Sequence, residues 1–277
     1  MPIEPSTSPD GWCLAPTVRW VAGDTVQRMD ADAYLDWIGF GGTPAVDLAT
    51  LTALQRLHMT AVPFENLFIT QGIHVGTDAD ASFDKIVRRG RGGWCFELNG
   101  AFGALLEAIG FRVTLLGAAV LLGGPNAAID HLTLEVMADQ PYLVDVGFGD
   151  SFIQPLALNR SGPQDGGNGT YELIGSPQGT TLTRHVDGLP KPEYRFKRVG
   201  LALTDFTTVS DSMQIDPDKH WRAKPFATRL LDGGPDRVTV TLNHRKLLRD
   251  GVVDERSLDG DGWEQELIDW FGFPYRV

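Results

Sequence analysis

The stretch that decides the fold is RGGWCFELNGAFGALLEAIG, residues 91–110. Its apolar side chains recur at the spacing of one helix face, and Gly110 supplies a C-terminal stop. The apolar positions are Leu98, Phe102, Leu105, Leu106 and Ile109. This pattern predicts a buried helix, and Cys95 stands where that helix begins, just after a glycine pair that permits a tight turn.

Cys95 is therefore a candidate nucleophile. Unpaired N–H groups and the helix dipole stabilise a thiolate at a helix start, and the N–H of Cys95 is placed to face a developing oxyanion. Arg88, Arg89 and Arg91 add positive charge upstream in an otherwise acidic chain. The alternative is a buried structural cysteine. Cys13 has no comparable setting, so we interpret it as structural.

A nucleophilic thiolate needs a base, and the base needs an orienting group. Among the six histidines, His131 is the best candidate because it opens an alternating, strand-like run, residues 131–137. Asp145 lies in the next such run, YLVDVGFG at residues 142–149. A carboxylate in so apolar a run is costly unless a partner satisfies it. The alternative is a buried carboxylate that caps a turn.

The hairpin register decides whether these two side chains meet. With residues 138–140 as the loop, Met137 pairs with Pro141 and Thr133 with Asp145. Asp145 then becomes the diagonal same-face neighbour of His131. A shift by one residue would put the two side chains on opposite faces.

The rest of the chain divides by periodicity into a helical start, a β-rich middle and a mixed end. Asp30 and Asp47 are typical N-caps for two further helices, the first of which ends at Gly39. After Gly110 the period changes to two. The predicted strands lie at 111–122, 131–137, 142–146, 171–174, 180–185, 194–203, 238–242 and near 252, with a loop from about 212 and a final helix at 263–270. The expected fold class is α+β.

Composition excludes several classes of protein. The 277 residues include 36 acidic and 24 basic side chains, a net charge of −12, which argues against a nucleic-acid partner. The longest apolar segment, 115–122, is too short to span a membrane. Residues 1–11 have no basic stretch followed by an apolar run, the pattern typical of a secretory signal. Two cysteines make no disulfide framework and no metal-ligand cluster. We therefore expect a cytoplasmic protein without a metal, a membrane partner or a nucleic-acid partner.

Four motifs together resemble the arylamine N-acetyltransferases, in order and in spacing. They are RGGWCFELN at 91–99, VPFENL at 62–67, the isolated His131, and DVGFG at 145–149. The resemblance implies a helical first domain at 1–110, a β-barrel second domain at 111–211 and an α/β third domain at 212–277 that acts as a lid. It also implies a papain-like triad of Cys95, His131 and Asp145.

The family's reaction is a two-step acetyl transfer. The resemblance implies that Cys95 takes the acetyl group from acetyl-CoA and that an arylamine, hydrazine or hydroxylamine nitrogen then removes it, with His131 moving the proton. Phe148, with Gly149 behind it, matches the family's acceptor pocket. Phe226 matches a phenylalanine that faces the cleft from the third domain.

Other expectations concern charged residues. We expect Arg91 to pair with Glu65 as a structural brace, because two family motifs meet there. Asp130 stands where the family usually has threonine, beside the base. Basic residues either receive the cofactor's phosphates or are ordinary solvated side chains; they are Lys219, His220, Arg222, Lys224 and Arg229, with Arg195, Lys197 and Arg198 equally open.

Two alternatives keep the fold but change the function. Some relatives of this family are amide synthases that release a polyketide or peptide chain, and the sequence departures near the cofactor site leave room for that reaction. A catalytically silent member that only binds or scaffolds is the other alternative.

Overall fold

The computed structural model describes residues 29–215 and 220–275, so Cys13 and Lys219 lie outside the described residues. The helices are α1 (Ala31–Ile38), α2 (Leu48–Ala61), α3 (Leu67–Thr70), α4 (Ala79–Phe83), α5 (Cys95–Ile109), α6 (Thr207–Ile215), α7 (His220–Ala223) and α8 (Gly260–Phe271). No helix in these two ranges is long and apolar enough to cross a bilayer.

The strands form two antiparallel sheets. The first half of the set is β1 (Phe64–Glu65), β2 (Arg112–Val120), β3 (His131–Met137), β4 (Pro141–Val144), β5 (Leu156–Ala157), β6 (Gln164–Asp165) and β7 (Thr170–Ser176). The second half is β8 (Gly179–Val186), β9 (Leu189–Leu201), β10 (Phe226–Leu230), β11 (Arg237–Thr241), β12 (His244–Arg249) and β13 (Val252–Ser257).

The predicted helix starts and stops are confirmed. Asp30 caps α1 by accepting a hydrogen bond from the backbone N–H of Ala33 at 3.1 Å, and Asp47 caps α2 in the same way. Helix α5 ends at Gly110, whose φ of 113° lies in the left-handed region that favours glycine. Helix α5, which begins at Cys95, packs on both β2 and β3 and is thereby fixed against these two strands.

Eight strands make a nearly closed barrel in the order β5-β4-β3-β2-β9-β8-β7-β6, as the resemblance implied. Its two edge strands are joined by the side chain of Gln164 on β6. This amide accepts from the N–H of Ala157 on β5 at 2.8 Å and donates to the carbonyl of the same residue at 3.0 Å. A buried side chain thus links the two edges where the backbone ladder stops.

The β3–β4 hairpin has the predicted register. Met137 pairs with Pro141 and Leu134 with Val144, and the ladder stops one step before Asp145. Both faces of β3 are buried, because its apolar side chains join the core around α5 while Thr133 reaches Tyr194 and the carbonyl of Val144. The polar face is therefore an interior surface.

The second sheet has the order β1-β10-β11-β12-β13, with α8 packed on β11. Its first strand comes from the helical part of the chain. Phe64 of β1 pairs with Thr228 of β10 and also bridges to Gly93, next to the nucleophile. The sheet therefore contacts the segment that carries Cys95.

The segment after about Ser212 differs from its predicted loop. Helix α6 is rich in Thr, Ser and Asp, which are poor helix formers, and it carries no strong apolar stripe. It is held by tertiary contacts: the Gln214 amide accepts from Val75 N at 2.9 Å and donates to Val75 O at 2.9 Å. Strand β10 also lies in the predicted loop; it pairs with β11 at five positions and with β1 at two. The division at residues 110 and 211 stays a prediction.

We predict that Gln164→Ala destabilises the barrel by roughly 1–3 kcal/mol, because it removes two hydrogen bonds and leaves the buried N–H of Ala157 without its partner. The measurement is the urea midpoint of unfolding. Gln178→Ala, an exposed glutamine of the β7–β8 turn, is the matched control and should change little. Equal midpoints for both variants would contradict the closing role of Gln164.

Candidate active site

Cys95 is the first residue of α5 and is 2% exposed. The start of the helix is fixed by Glu97, whose carboxylate accepts from the N–H of Trp94 at 3.3 Å and from Lys85 Nζ at 2.8 Å. The predicted position of the thiol at a helix N-terminus is therefore what the structure has.

His131 and Asp145 meet, as the register required. His131 Nε2 lies 2.7 Å from Asp145 Oδ2, and both residues are only 2% exposed. Cys95 interacts with the same imidazole and raises its pKa. Since Nε2 contacts Asp145, Nδ1 is the ring atom left for the thiol. The three predicted catalytic side chains are thus brought together in one buried group.

Asn99 orders the back of this chain, and the sequence analysis missed it. Its Nδ2 donates to Asp145 Oδ1 at 2.9 Å and to the carbonyl of Leu132 at 2.6 Å. Its Oδ1 accepts from the N–H of Val146 at 2.9 Å. The available signal was spacing, because Asn99 lies four residues after Cys95 and so shares its helix face.

The pKa values show how strongly the pair is coupled. Burial by itself lowers the pKa of His131, but the Asp145 carboxylate and Cys95 raise it, to about 10 overall. Burial likewise opposes ionisation of Asp145, yet His131, Asn99 and the Gly147 N–H hold its pKa below the ordinary value. At neutral pH the arrangement favours an imidazolium bound to a carboxylate.

Gly147 allows the segment that follows β4 to lie directly against Cys95. A Cβ on this residue would lie 2.8 Å from the Cα of Cys95 and 2.9 Å from Asn99 Nδ2. Both neighbours are fixed, one as backbone and the other by three hydrogen bonds. Only glycine lets the two segments approach this closely.

The ring of Phe148 lies next to that of His131. Its ring centroid is 5.2 Å from that of His131 and 5.0 Å from that of Tyr194. Tyr194 also packs on His131 at 5.1 Å, and its hydroxyl is 3.2 Å from Thr133 Oγ1. Tyr194 is a second site residue that the sequence analysis missed. Its strand had been predicted, but not the face on which the ring stands.

Four aromatic side chains form a cluster next to Cys95: Phe64, Trp94, Trp221 and Phe226. Phe64 packs on Phe226 at 5.3 Å, and Trp94 packs on Trp221 at 5.7 Å. Gly149 joins it, since a Cβ there would lie 3.1 Å from the Phe64 ring. The structure therefore brings Gly149 and Phe226 to the same cluster, while Phe148 lies against His131.

Asn66 fixes the segment that carries Phe226. Its amide donates to the carbonyls of Trp221 at 2.8 Å and Lys224 at 2.9 Å, and it accepts from Phe226 N at 2.9 Å. This residue belongs to the VPFENL motif. Its side chain thus connects that motif to the start of β10.

The predicted Arg91–Glu65 pair is wrong. Arg91 lies between the rings of Phe68 and Phe273 and donates to the carbonyl of Pro274 at 3.1 Å. Lys85 is the cation near Glu65, at 3.9 Å. Burial lowers the pKa of Arg91, and the charge of Glu65, which acts without a direct ion pair, opposes that shift.

The other upstream arginines are also engaged. Arg89 pairs with Asp84 at 2.6 Å and Arg88 with Asp30 at 3.6 Å. Arg88 and Arg89 thus each pair with a carboxylate, and it is His131 that interacts with Cys95.

Several candidate phosphate-binding residues have other partners. Arg222 donates to the carbonyls of Ile69 and Thr70, Arg229 to Thr60, and Arg195 to Asn126. Arg198 makes a bidentate pair with Glu135, at 2.7 Å for both contacts. Lys224 and Lys197 are exposed. The basic cluster is therefore partly a set of structural contacts.

Asp130 has a local structural role. Its carboxylate accepts from the N–H of Val120 at 2.8 Å and from Asn126 Nδ2 at 2.7 Å. These bonds close the loop that leads into His131. The carboxylate of Asp130, which precedes His131 in the sequence, thus holds that loop.

No group of three or more His, Cys, Asp or Glu side chains in the described ranges could hold a metal ion. Asp259 caps α8 by accepting from Gly262 N at 2.8 Å.

A family model described as N-acetyltransferase matches residues 47–274. The chain is 37% identical to the arylamine N-acetyltransferase of Mycolicibacterium smegmatis over 70% of this chain and 74% of the relative. It is 33% identical to arylamine N-acetyltransferase 1 of Homo sapiens over 79% of this chain and 84% of the relative. This chain belongs to the arylamine N-acetyltransferase family.

A solved structure agrees with the sequence relatives. The arylamine N-acetyltransferase of Mycobacterium marinum in complex with CoA superposes with a TM-score of 0.81 at 31% identity, covering 88% of this chain and 92% of that one. The fold class is therefore confirmed, and the protein is an acyltransferase of this type. The relatives compared are all named for arylamine acetylation, so the amide synthase alternative is not favoured.

We predict that Gly147→Ala lowers activity sharply and destabilises the fold by about 1–3 kcal/mol, because its Cβ would overlap the Cys95 backbone. Gly175→Ala is the control, since a Cβ there meets nothing within 4 Å. Acetyl transfer and thermal unfolding are measured for both. A fully active Gly147→Ala variant would show that the strand end is not in close contact with the nucleophile.

Proposed function

We propose that Cys95, His131 and Asp145 are the catalytic triad of a ping-pong acetyl transfer to an amine nitrogen. The single observation that supports this most is the buried chain from the Cys95 side chain through His131 to Asp145, with a 2.7 Å contact between the last two. A cysteine, a histidine and a carboxylate in this order supply a nucleophile, a proton carrier and an orienting group.

In the first step, the Cys95 thiolate attacks the carbonyl carbon of the acetyl-CoA thioester. The bond from that carbon to the CoA sulfur breaks, and the His131 imidazolium supplies the proton that the departing thiol takes. The start of α5 favours the negative charge on sulfur and on the developing oxyanion. The product is a thioester between the acetyl group and Cys95.

In the second step, an amine nitrogen attacks the acetyl carbon of this thioester. His131, now neutral, removes a proton from the nitrogen, and the Cys95 sulfur leaves as a thiolate. Asp145 stabilises the imidazolium formed, and Asn99 holds the Asp145 carboxylate through its 2.9 Å hydrogen bond. The enzyme returns to its starting state.

We propose that Phe148, Gly149 and Phe226 line the acceptor site. Phe148 contacts the ring of His131, and Gly149 and Phe226 both contact Phe64. An aromatic surface beside the base suits an arylamine, because flat apolar rings pack on aromatic side chains. Hydrazines and hydroxylamines supply the same attacking atom.

We propose acetyl-CoA as the donor, with no metal required. Support comes from the M. marinum relative, whose structure contains CoA. Lys224 and His220, near Phe226, and the exposed Lys197 are the basic residues available for phosphates, since Arg222 and Arg229 hold backbone carbonyls.

We also propose the three-domain division at residues 110 and 211, with the third domain as a lid over the cleft. The two separate sheets and the separate core around α8 support it. A cytoplasmic location fits a nucleophilic thiol that must stay reduced.

Intact-mass measurement is the direct test of the first step. Acetyl-CoA should add one acetyl group to the wild-type protein, and Cys95→Ala should abolish the adduct. The only other cysteine in the chain, Cys13, provides the matched control: Cys13→Ala should keep the adduct. Subsequent addition of arylamines or hydrazines should remove the acetyl group and yield the acetylated amine. No adduct from acetyl-CoA would favour a silent member.

Asp145→Asn tests the orienting carboxylate. The variant keeps a side chain of the same size but removes the charge that stabilises the imidazolium, so acetylation should slow by about 10²–10⁴-fold. Stopped-flow acetylation of Cys95 is the measurement, with circular dichroism to verify the fold. A wild-type rate would remove Asp145 from the mechanism.

A further inference from the structure

The ninth strand contains a β-bulge next to the triad. Leu182 of β8 pairs with Tyr194, but the next residue, Thr183, pairs with Pro192, so Glu193 is an extra residue without a ladder partner on that side. In a regular strand, neighbouring side chains point to opposite faces. Here Glu193 and Tyr194 are both buried, so the bulge turns two consecutive side chains inward.

The two side chains reach different parts of the same loop. Tyr194 packs on the ring of Phe148 at 5.0 Å. Glu193, 4% exposed, accepts a 2.5 Å hydrogen bond from Ser151 Oγ, three residues further along. The bulge therefore holds the segment 148–151, here called the Phe148 loop, at both of its ends.

We propose that Glu193 is a positioning residue for the amine acceptor: by holding Ser151, it fixes the Phe148 loop against Tyr194 and makes acceptor binding depend on its own protonation. This rests on the proposed function, because Phe148 must line the acceptor site. Glu193 touches neither the triad nor the substrate in this proposal. Its effect passes through Ser151 and the Phe148 loop.

The burial of Glu193, more than the charges around it, gives the direction of the pH effect. Arg184 on β8 attracts its carboxylate, whereas Asp150 in the Phe148 loop and Asp145 at the triad repel it, and Tyr171 on β7 lies in the same cluster. Burial raises the pKa of Glu193 to about 7, while Ser151 and Arg184 oppose that rise. We call the Phe148 loop closed when Ser151 lies against Glu193, as it does in this structure. Because this arrangement raises the pKa of the carboxyl, the protonated carboxyl favours the closed loop.

The sign follows from proton linkage. When the loop is closed the carboxyl binds its proton more tightly than when it faces water, where its pKa is 4.5. The closed loop is therefore favoured at low pH and loses stability as pH rises through about 7. The acceptor KM should rise in the same range.

The experiment measures the acceptor KM of the acetylated enzyme from about pH 6 to about pH 8, where a proton-linked KM changes several-fold. The acceptor is an arylamine whose nitrogen does not titrate there. In the wild-type protein KM should increase with pH. Glu193→Gln, which is neutral at every pH and keeps an acceptor for Ser151, should give a low and flat KM. Ser151→Ala should raise KM roughly three- to tenfold at low pH.

Acetylation of Cys95 by acetyl-CoA separates positioning from general damage. All three proteins should form the acetyl-enzyme at similar rates, because the triad is intact in each. Glu172→Gln is the matched control: Glu172 is a half-buried glutamate of the same barrel, 3.2 Å from His185, and its removal should leave the pH profile of the wild type.

Stability gives a readout without activity. The urea midpoint of the wild-type protein should fall relative to that of Glu193→Gln as pH rises through about 7. A Glu193→Gln variant that keeps the wild-type rise of KM, or that slows acetylation as much as it changes KM, would overturn the proposal. No acetyl-enzyme in the wild-type protein would instead overturn the proposed function.

Discussion

The buried carboxylate of Asp145 is the constraint on which the rest of the site depends. An isolated carboxylate in the interior is costly, and this one is stable because it receives hydrogen bonds from His131, Asn99 and the N–H of Gly147. Those donors come from β3, from α5 and from the segment that follows β4. Satisfying one charge thus brings a helix and a hairpin into contact and places Cys95 beside His131.

A second group of buried charges supports the helix start. Lys85 pairs with Glu97, which in turn accepts from the N–H of Trp94, and Glu65 accepts from the N–H of Leu67. These residues carry no reacting atom. Their value lies in the direction that they give to the first turn of α5, since breaking such a pair leaves an uncompensated charge in the interior.

Local pattern predicted much of the site. The apolar spacing and the glycine stop predicted α5, and the three-residue hairpin loop predicted that Asp145 lies beside His131. That Cys95 joins these two residues was implied only by the resemblance to the family. Long-range packing could not be read in this way. Strand β1 pairs with β10, which lies far along the chain, and α6 is held by Gln214 rather than by propensity. Arg91 likewise packs on Phe273, near the end of the described residues. The inward turn of Glu193 depends on a bulge, which shifts the face of a residue without any mark in the alternation.

The two-residue strand β1 has a consequence for how the chain is assembled. Phe64 bridges to Gly93 and pairs with Thr228. The segment that carries Cys95 is therefore held in part by residues more than a hundred positions later in the chain. During synthesis, α5 and the barrel emerge long before β10 does. Contacts between such distant segments form slowly, since a long loop must close first. A nascent chain therefore carries Cys95 beside the unpaired strand β1 until β10 has been made, and the surroundings of the thiol are complete only when these two strands pair.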